Sequence, residues 1–296
     1  MNAAPWIEAA SRAIAQATGQ PFHPAHGTGV SGGSISEASV WTGKDGRRFF
    51  IKRSHSDHRL MFEAEAAGLQ ELAQCRALRT PQVVTIADSP EGCVLVLEHL
   101  ALGGRRDERA LGLGVAALHA ITAKSFGWTM DNFIGRTAQL NPWSQDWPDF
   151  YRHYRLAHQR ELAEKRGASR SLLDAVARLE QETRGFFTDH HPQPSLLHGD
   201  LWGGNWGFLA QGVPVVFDPA VYFGDREADI AMMELFGHPG ADFFAAYGER
   251  LPLNPEYPVR RELYNLYHIL NHFNLFGGSY AVQAERMARG LLAELG

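Results

Sequence analysis

In the stretch LLHGDLWGGNWGFL, residues 196–209, a His, an Asp and an Asn stand inside a run that is otherwise apolar and glycine-rich. Buried strands rarely spend polar residues this way. Asp200 and Asn205 fit D-x-x-x-x-N, the spacing of the loop that kinases use for phosphoryl transfer. There the Asp accepts the proton of an attacking hydroxyl, and the Asn carbonyl oxygen holds a Mg²⁺ ion. The loop must be short, because both groups have to converge on one phosphoryl group. The segment GVPVVFDPA follows, a short apolar strand that delivers Asp218 at its end, where a second metal-binding carboxylate belongs. Mg²⁺ takes few protein carboxylates and completes its shell with phosphate oxygens and water, so Asn205 and Asp218 suffice. Singly, each residue has a plain structural reading, with His198 and Asp200 capping a turn and Asp218 starting a loop. Together, with the strand between them, they point to a metal–phosphate site.

Such a site needs a clamp for the nucleotide. VSGGSISEASVW places a glycine turn between two strand-like segments, and the backbone N–H groups of Gly32, Gly33 and Ser34 are candidates to lie over phosphates. Lys52 ends the strand RRFFIK, as a phosphate-binding lysine would. In the helix that follows, Phe62, Leu69 and Leu72 form an apolar stripe with Glu65 on the same face. A carboxylate there needs a cation, and Lys52 is the nearest candidate, although a Glu65 at the rim of the stripe would simply be solvated. The run CVLVLEHL ends in a polar pair before a glycine-bearing connector, so the backbone around Glu98 and Leu100 is placed to bind an adenine. It is a core strand in either case. GTGVSG, residues 27–32, matches G-x-G-x-x-G letter for letter, but it is followed by strand rather than by a helix in a βαβ unit, so a dinucleotide-binding reading is rejected.

The elements that must position these residues follow from the rest of the chain. An alanine-rich amphipathic helix over residues 3–18 ends at Gly19. Short β pieces occupy residues 22–53, with GKDG as a hairpin turn. A helix spans roughly residues 57–77, and PQVVTIAD and CVLVLEHL are strands. Beyond ALGG the chain reads as helical except for a β segment at residues 195–218. The expectation is an α+β, two-lobed fold: residues 1–100 a small β-rich lobe with one main helix, residues 101–296 a larger, mainly helical lobe, with a cleft between them. Of the 296 residues, 45% are hydrophobic and 21% charged, an ordinary globular composition. The formal net charge of -5 argues against a nucleic-acid binder. No apolar run reaches the ~18 residues of a membrane span, and the N-terminus lacks a signal-peptide pattern. Cys75 and Cys93 have no metal-ligand spacing and read as reduced core thiols, so a cytoplasmic location is expected.

The strings HGDLWGGN, FDPAVYFGDREADIAMMELFG and LYNLYHILNHFNLFGGSY resemble the fructosamine/ketosamine-3-kinase family, and FGWTMDNFIGRTAQLNPWSQDWPDFY is similar to that family's central segment. The resemblance covers nearly the whole chain. Its HGD…N…D part is shared with aminoglycoside phosphotransferases and choline-kinase-like enzymes, whereas the longer strings are more specific. It implies a protein-kinase-like fold and ATP- and Mg²⁺-dependent phosphorylation of the C3 hydroxyl of ketosamines, including glycated lysines on proteins. Loss of the sugar from the unstable 3-phosphate makes this deglycation repair. Carried onto this chain, Asp200 is the base, Asn205 and Asp218 hold metal, and Lys52 with Glu65 positions phosphates. Asp229 would brace the catalytic loop. The family's glycine turn often carries a Cys where this chain has Ser34, so no thiol switch is expected there.

Other residues carry weaker signals. His268 and His272 are four apart on a helix, without a third metal ligand nearby, and the resemblance makes that helix a wall of the acceptor pocket. His272 is therefore either a substrate contact or a packing residue. Trp202, two residues past the base, either stacks on a sugar ring or fills core. Asp131 and Asn132 read as turn residues, Trp143 and Trp147 as packing, and His190 and His191 as solvated. The rival readings are a kinase for an aminoglycoside or amino alcohol, and a nucleotide-binding pseudokinase that serves as an interaction module. The oligomeric state is open, with a monomer the simplest expectation.

Overall fold

The computed structural model describes residues 4–30 and 36–295. The glycine turn at Gly32, Gly33 and Ser34 lies outside the described residues. The first lobe holds α1 (Pro5–Thr18), β1 (Pro24–Val30), β2 (Glu37–Gly43), β3 (Arg48–Ser54), α2 (Arg59–Leu72), β4 (Val83–Ser89) and β5 (Gly92–Glu98). Its strands form one antiparallel sheet in the order β1-β2-β3-β5-β4. The period of two decides what each face meets. Ile51, Val94 and Val96 point to α1, where Ala10 and Ile14 are fully buried. Cys93, Leu95 and Leu97 point the other way, to Phe62 and Leu69 of α2. Lys52 pairs with Leu95 across the ladder and so shares the α2 face. The helix carrying Glu65 is shorter than its sequence pattern, because a 3₁₀ turn at Ser56–His58 precedes it and Ala73 closes it at Leu72.

The connector after Glu98 leads to α3 (Glu108–His119), capped by the Asp107 side chain, which accepts from Ala110 N. Then come β6 (Asn132–Ile134), β7 (Thr137–Gln139), α4 (Trp147–Tyr151), a π-helical segment (Arg152–Ala157), α5 (His158–Lys165) and α6 (Arg170–Glu182). Four short strands, β8 (Ser195–Leu197), β9 (Trp206–Phe208), β10 (Pro214–Val216) and β11 (Tyr222–Gly224), precede α7 (Glu227–Leu235), α8 (Ala241–Arg250), α9 (Tyr257–Phe276) and α10 (Tyr280–Glu294). This is the two-lobed, protein-kinase-like α+β architecture that the resemblance implies. The larger lobe is richer in β structure than its sequence pattern suggests: β6–β7 and β11 are only three residues each, too short for a periodicity to register. Trp147 is 1% exposed and anchors this lobe's core, whereas Trp143 is half exposed against Phe223. Cys75 and Cys93 are buried thiols. Among the described residues no helix is long and apolar enough to cross a membrane.

Candidate active site

Between the lobes lies a cleft of about 920 Å³. Lys52, Glu65, Glu98, Leu100, Asp200, Trp202, Asn205, Asp218 and His272 all line it, so every site residue predicted from the sequence and described by the structure meets in one place. Lys52 is 7% exposed, and its ammonium donates to Glu65 Oε1 at 2.7 Å and to Asp218 Oδ1 at 2.5 Å. The rim alternative for Glu65 is thereby settled. Burial by itself would depress the Lys52 pKa, but the Asp218 and Glu65 carboxylates outweigh it and raise it, so the side chain is a permanent cation. Burial pushes the Glu65 carboxyl up.

The loop after β8 is built on backbone contacts that only glycine allows. Gly199 has φ +81°, and a Cβ there would sit 1.9 Å from the Ala220 carbonyl. His198, fully buried, ties this loop to the strand that carries Asp218. Its Nδ1 accepts from Asp200 N at 3.3 Å, which leaves Nε2 protonated to donate to the Phe217 carbonyl at 3.0 Å. Burial lowers its pKa, so the imidazole is neutral in this role. Beneath it Asp229, on α7, accepts from His198 N at 2.7 Å and Gly199 N at 2.9 Å, the bracing expected of that residue. His198 thus organises the loop from behind rather than facing the cleft.

Asn205 is pinned through its amide nitrogen, which donates to the Asp200 carbonyl at 2.8 Å and to Asp200 Oδ2 at 3.2 Å. Its Oδ1 is thus the end available to a cation. Burial and then the negative charge of Asp218 push the Asp200 carboxyl up to about 7. Asp218 has φ +57°, and among the described residues it is the one non-glycine in the left-handed region. Such a conformation costs about 1–3 kcal/mol and has to be imposed by its surroundings. Two carboxylates and an amide oxygen therefore converge with more negative charge than Lys52 alone offsets. That donor set fits Mg²⁺, with phosphate oxygens completing its shell.

Glu98 offers less than its position suggested. Its N–H donates to the Gln82 carbonyl at 2.8 Å and its carboxylate binds Arg79, so only its carbonyl can serve an adenine. On the other side of the cleft, Trp202 is 37% exposed and its ring lies over Gly204, where a Cβ would approach it to 2.3 Å. His272 Nδ1 donates to the His268 carbonyl at 2.8 Å, which presents Nε2 as an acceptor beside Phe236, Phe276 and Tyr280. His268 is buried and held neutral, its pKa lowered to about 3 by burial.

Two expectations are corrected. His190 is not solvated: Nε2 lies 2.6 Å from Asp225 Oδ2, in a buried cluster with Glu227, Arg260 and Tyr264, while His191 is exposed as expected. The isolated letters HH gave no hint of partners 35 residues away. Asn132 is not a turn residue but opens β6 and is 3% exposed, and Asp131 accepts from Asn141 N, ten residues on at the other end of the hairpin, rather than capping a turn of its own.

The chain is similar along nearly its whole length to known proteins. The family model described as "Fructosamine kinase" matches residues 6–294. A "Probable ketoamine kinase" of Synechocystis is 42% identical over 292 residues, covering 98% of this chain and 97% of the relative. The chloroplastic protein-ribulosamine 3-kinase of Arabidopsis thaliana is 39% identical over 259 residues, covering 86% and 79%. The crystal structure of a fructosamine-3-kinase candidate from Haemophilus somnus superposes with a TM-score of 0.88 at 27% identity, over 97% of each chain.

Proposed function

The chain belongs to the fructosamine kinase family, and on that premise we propose that it transfers the γ-phosphoryl group of ATP to the C3 hydroxyl of ketosamines, of the fructosamine or ribulosamine type, as a step in removing glycation adducts from amines and protein lysines. The observation that carries the reading is the meeting of Lys52, Glu65, Asp200, Asn205 and Asp218 in one interlobe cleft. A carboxylate beside a clamped triphosphate and an acceptor hydroxyl is what phosphoryl transfer requires, since the reaction is mostly positioning and charge stabilisation.

Lys52, oriented by Glu65, holds the α- and β-phosphates; in the structure its ammonium spans Glu65 and Asp218, the place phosphate oxygens would share. The Glu98 carbonyl and the Leu100 backbone take the adenine. Gly32, Gly33 and Ser34 would close over the phosphates from the β1–β2 turn. Asn205 Oδ1 and the Asp218 carboxylate would hold Mg²⁺, which when bound offsets the charge of the phosphates. Asp200 takes the proton of the acceptor hydroxyl, and its raised pKa makes it a better proton acceptor than an ordinary aspartate. Trp202 and the neutral His272 form the wall that receives the sugar.

The test is a phosphorylation assay with ATP over ribulosamine, erythrulosamine and fructosamine adducts, with the position of the new phosphate read by NMR. Transfer to O3 of a ketosamine is the expected result. Turnover of aminoglycosides or amino alcohols with none of any ketosamine would overturn the acceptor assignment. Binding of ATP with no transfer to any acceptor would make the protein a pseudokinase.

A further inference from the structure

Hairpin β6–β7 has no part in the roles above, yet its polar residues are buried. Asn132 and Gln139 are 3% and 1% exposed and pair across the hairpin. Each donates out of the hairpin into the chain just past Asp218: Asn132 Nδ2 to the Val221 carbonyl at 2.7 Å, Gln139 Nε2 to the Ala220 carbonyl at 3.0 Å. Other groups hold the two amides in that orientation. Gln139 Nε2 also donates to Asn132 Oδ1 at 2.8 Å, and the Tyr267 hydroxyl donates to Gln139 Oε1 at 2.8 Å. Asn141 Nδ2 donates to Asn132 Oδ1 at 3.0 Å, and Arg155 donates to Asn141 Oδ1 at 2.8 Å. Arg155 is fully buried with no carboxylate at ion-pair distance among the described residues, held by the Leu140 and Tyr154 carbonyls and lying 4.2 Å from the Tyr222 ring centroid. A lone guanidinium and several amides taken out of water are costly to fold around. Their common product is the fixed position of two carbonyls.

Those carbonyls lie two and three residues beyond Asp218, whose left-handed backbone must be imposed from outside. On the near side the imposition is already described: the Phe217 carbonyl accepts from His198, and the Phe217 N–H donates to the Asn205 carbonyl at 3.0 Å. On the far side, Asn205 Nδ2 donates to the Asp218 carbonyl at 3.4 Å, the Ala220 N–H donates to the His198 carbonyl, β11 pairs with β8, and the two amides of the hairpin take the carbonyls between these ties. We propose that Asn132 and Gln139 are positioning residues for the Asp218 carboxylate, holding it in register for the metal through the Ala220 and Val221 carbonyls. The proposal rests on the kinase reading, and its test separates the two.

The probe is Mn²⁺ with the non-hydrolysable analogue AMP-PNP, read by electron paramagnetic resonance, alongside kcat and Tm. Asn132→Asp keeps the acceptor for Gln139 and Asn141 but loses the donor to Val221. Gln139→Met keeps the shape and loses the donor to Ala220. Each is expected to weaken Mn²⁺ binding and lower kcat by about tenfold, with metal-free AMP-PNP affinity within about twofold of the parent. Asn141→Ala is the graded comparison: it removes one of the two donors to Asn132 Oδ1 but neither bond to the Ala220 and Val221 carbonyls, so Tm falls while Mn²⁺ affinity weakens by no more than about threefold. Equal loss of Mn²⁺ affinity in Asn141→Ala, or none in the other two, overturns the proposal. Should both of those fail to fold, Tyr267→Phe, which removes the donor to Gln139 Oε1 and a contact to Gln159, is expected to weaken Mn²⁺ about threefold, and unchanged affinity overturns the proposal. A parent protein that binds no Mn²⁺–AMP-PNP overturns the kinase reading itself.

Discussion

Among the described residues, a cluster of buried charge in the cleft and another within the larger lobe are made of similar parts and put to different ends. In the cleft, Lys52 meets Glu65 and Asp218, with Asp200 close enough to Asp218 for its pKa to be raised by that charge. Beneath α9, Arg260 meets Glu227, with Asp225, His190 and Tyr264 around them. The second cluster is closed: Arg260 makes a bidentate pair with Glu227 at 2.7 and 3.1 Å and is 1% exposed. Burial alone would raise the Asp225 pKa, but hydrogen bonds from His190 and Tyr264 hold it below the usual carboxylate range. The first cluster is left open, with excess negative charge on the cavity side. A fold that satisfies one cluster fully has the means to satisfy the other. Leaving the cleft cluster short of positive charge stabilises whatever cation enters it, at the expense of the empty protein.

The contrast breaks hardest at Asp200. Asp200→Asn is expected to lower turnover by about 10²–10⁴-fold while ATP affinity, measured by calorimetry, changes little. A variant with near-parental turnover would remove Asp200 from the chemistry. The same substitution carries a stability signature of opposite sign. A carboxyl whose folded pKa of about 7 lies above its unfolded value of 3.8 costs stability progressively as pH rises between those values. In metal-free protein, Asp200→Asn should therefore match the parent Tm near pH 4 and exceed it at pH 8. A lower Tm at pH 8 would show that the Asp200 charge is compensated rather than exposed to its neighbours.

In the closed cluster the order of effects reverses. Arg260→Met leaves Glu227 buried without its cation and is expected to cost about 3–5 kcal/mol of folding stability by denaturant unfolding. Kinetic constants of the folded fraction should stay within about threefold. Removing both partners, as Arg260→Met with Glu227→Leu, should restore much of the loss, since a buried pair is worth little against well-packed apolar groups. Turnover lost at parental stability would mean that the two clusters are not separate.

How much of this was visible in the sequence follows from how local each signal is. Asp200, Asn205 and Asp218 fall within nineteen positions, so their spacing alone was enough to suggest the proposed chemistry. Lys52 and Glu65 were readable because strand alternation and the helical stripe each put a polar residue on an apolar face. Asn132 and Gln139 were not: they satisfy carbonyls about eighty residues away, and nothing near them in the chain distinguishes them from turn residues. His190 was missed for the same reason, since its partner Asp225 reaches it only through tertiary packing. The shortened α2 loses two residues to the 3₁₀ turn at Ser56–His58 and five at its other end, where Ala73 closes the helix before the turn that follows.

The smallest expected effect tests the cleft's far wall. Trp202 is 37% exposed, so it contributes modestly to the core, and its indole is held flat by the absence of a side chain at Gly204. If the ring receives the sugar, Trp202→Ala should raise KM for the ketosamine by about five- to tenfold, roughly 1 kcal/mol. KM for ATP and kcat should stay within about twofold. Gly204→Ala provides an independent route to the same defect, because its Cβ would come within 2.3 Å of the ring and displace it without removing it. Matching KM rises in both variants, with Tm near the parent value, assign the ring to the acceptor. A fall in Tm with an unchanged KM assigns it to packing, and the sugar would then have to be received by the rest of the cleft lining, His272 of α9 with Phe133, Phe236 and Tyr280.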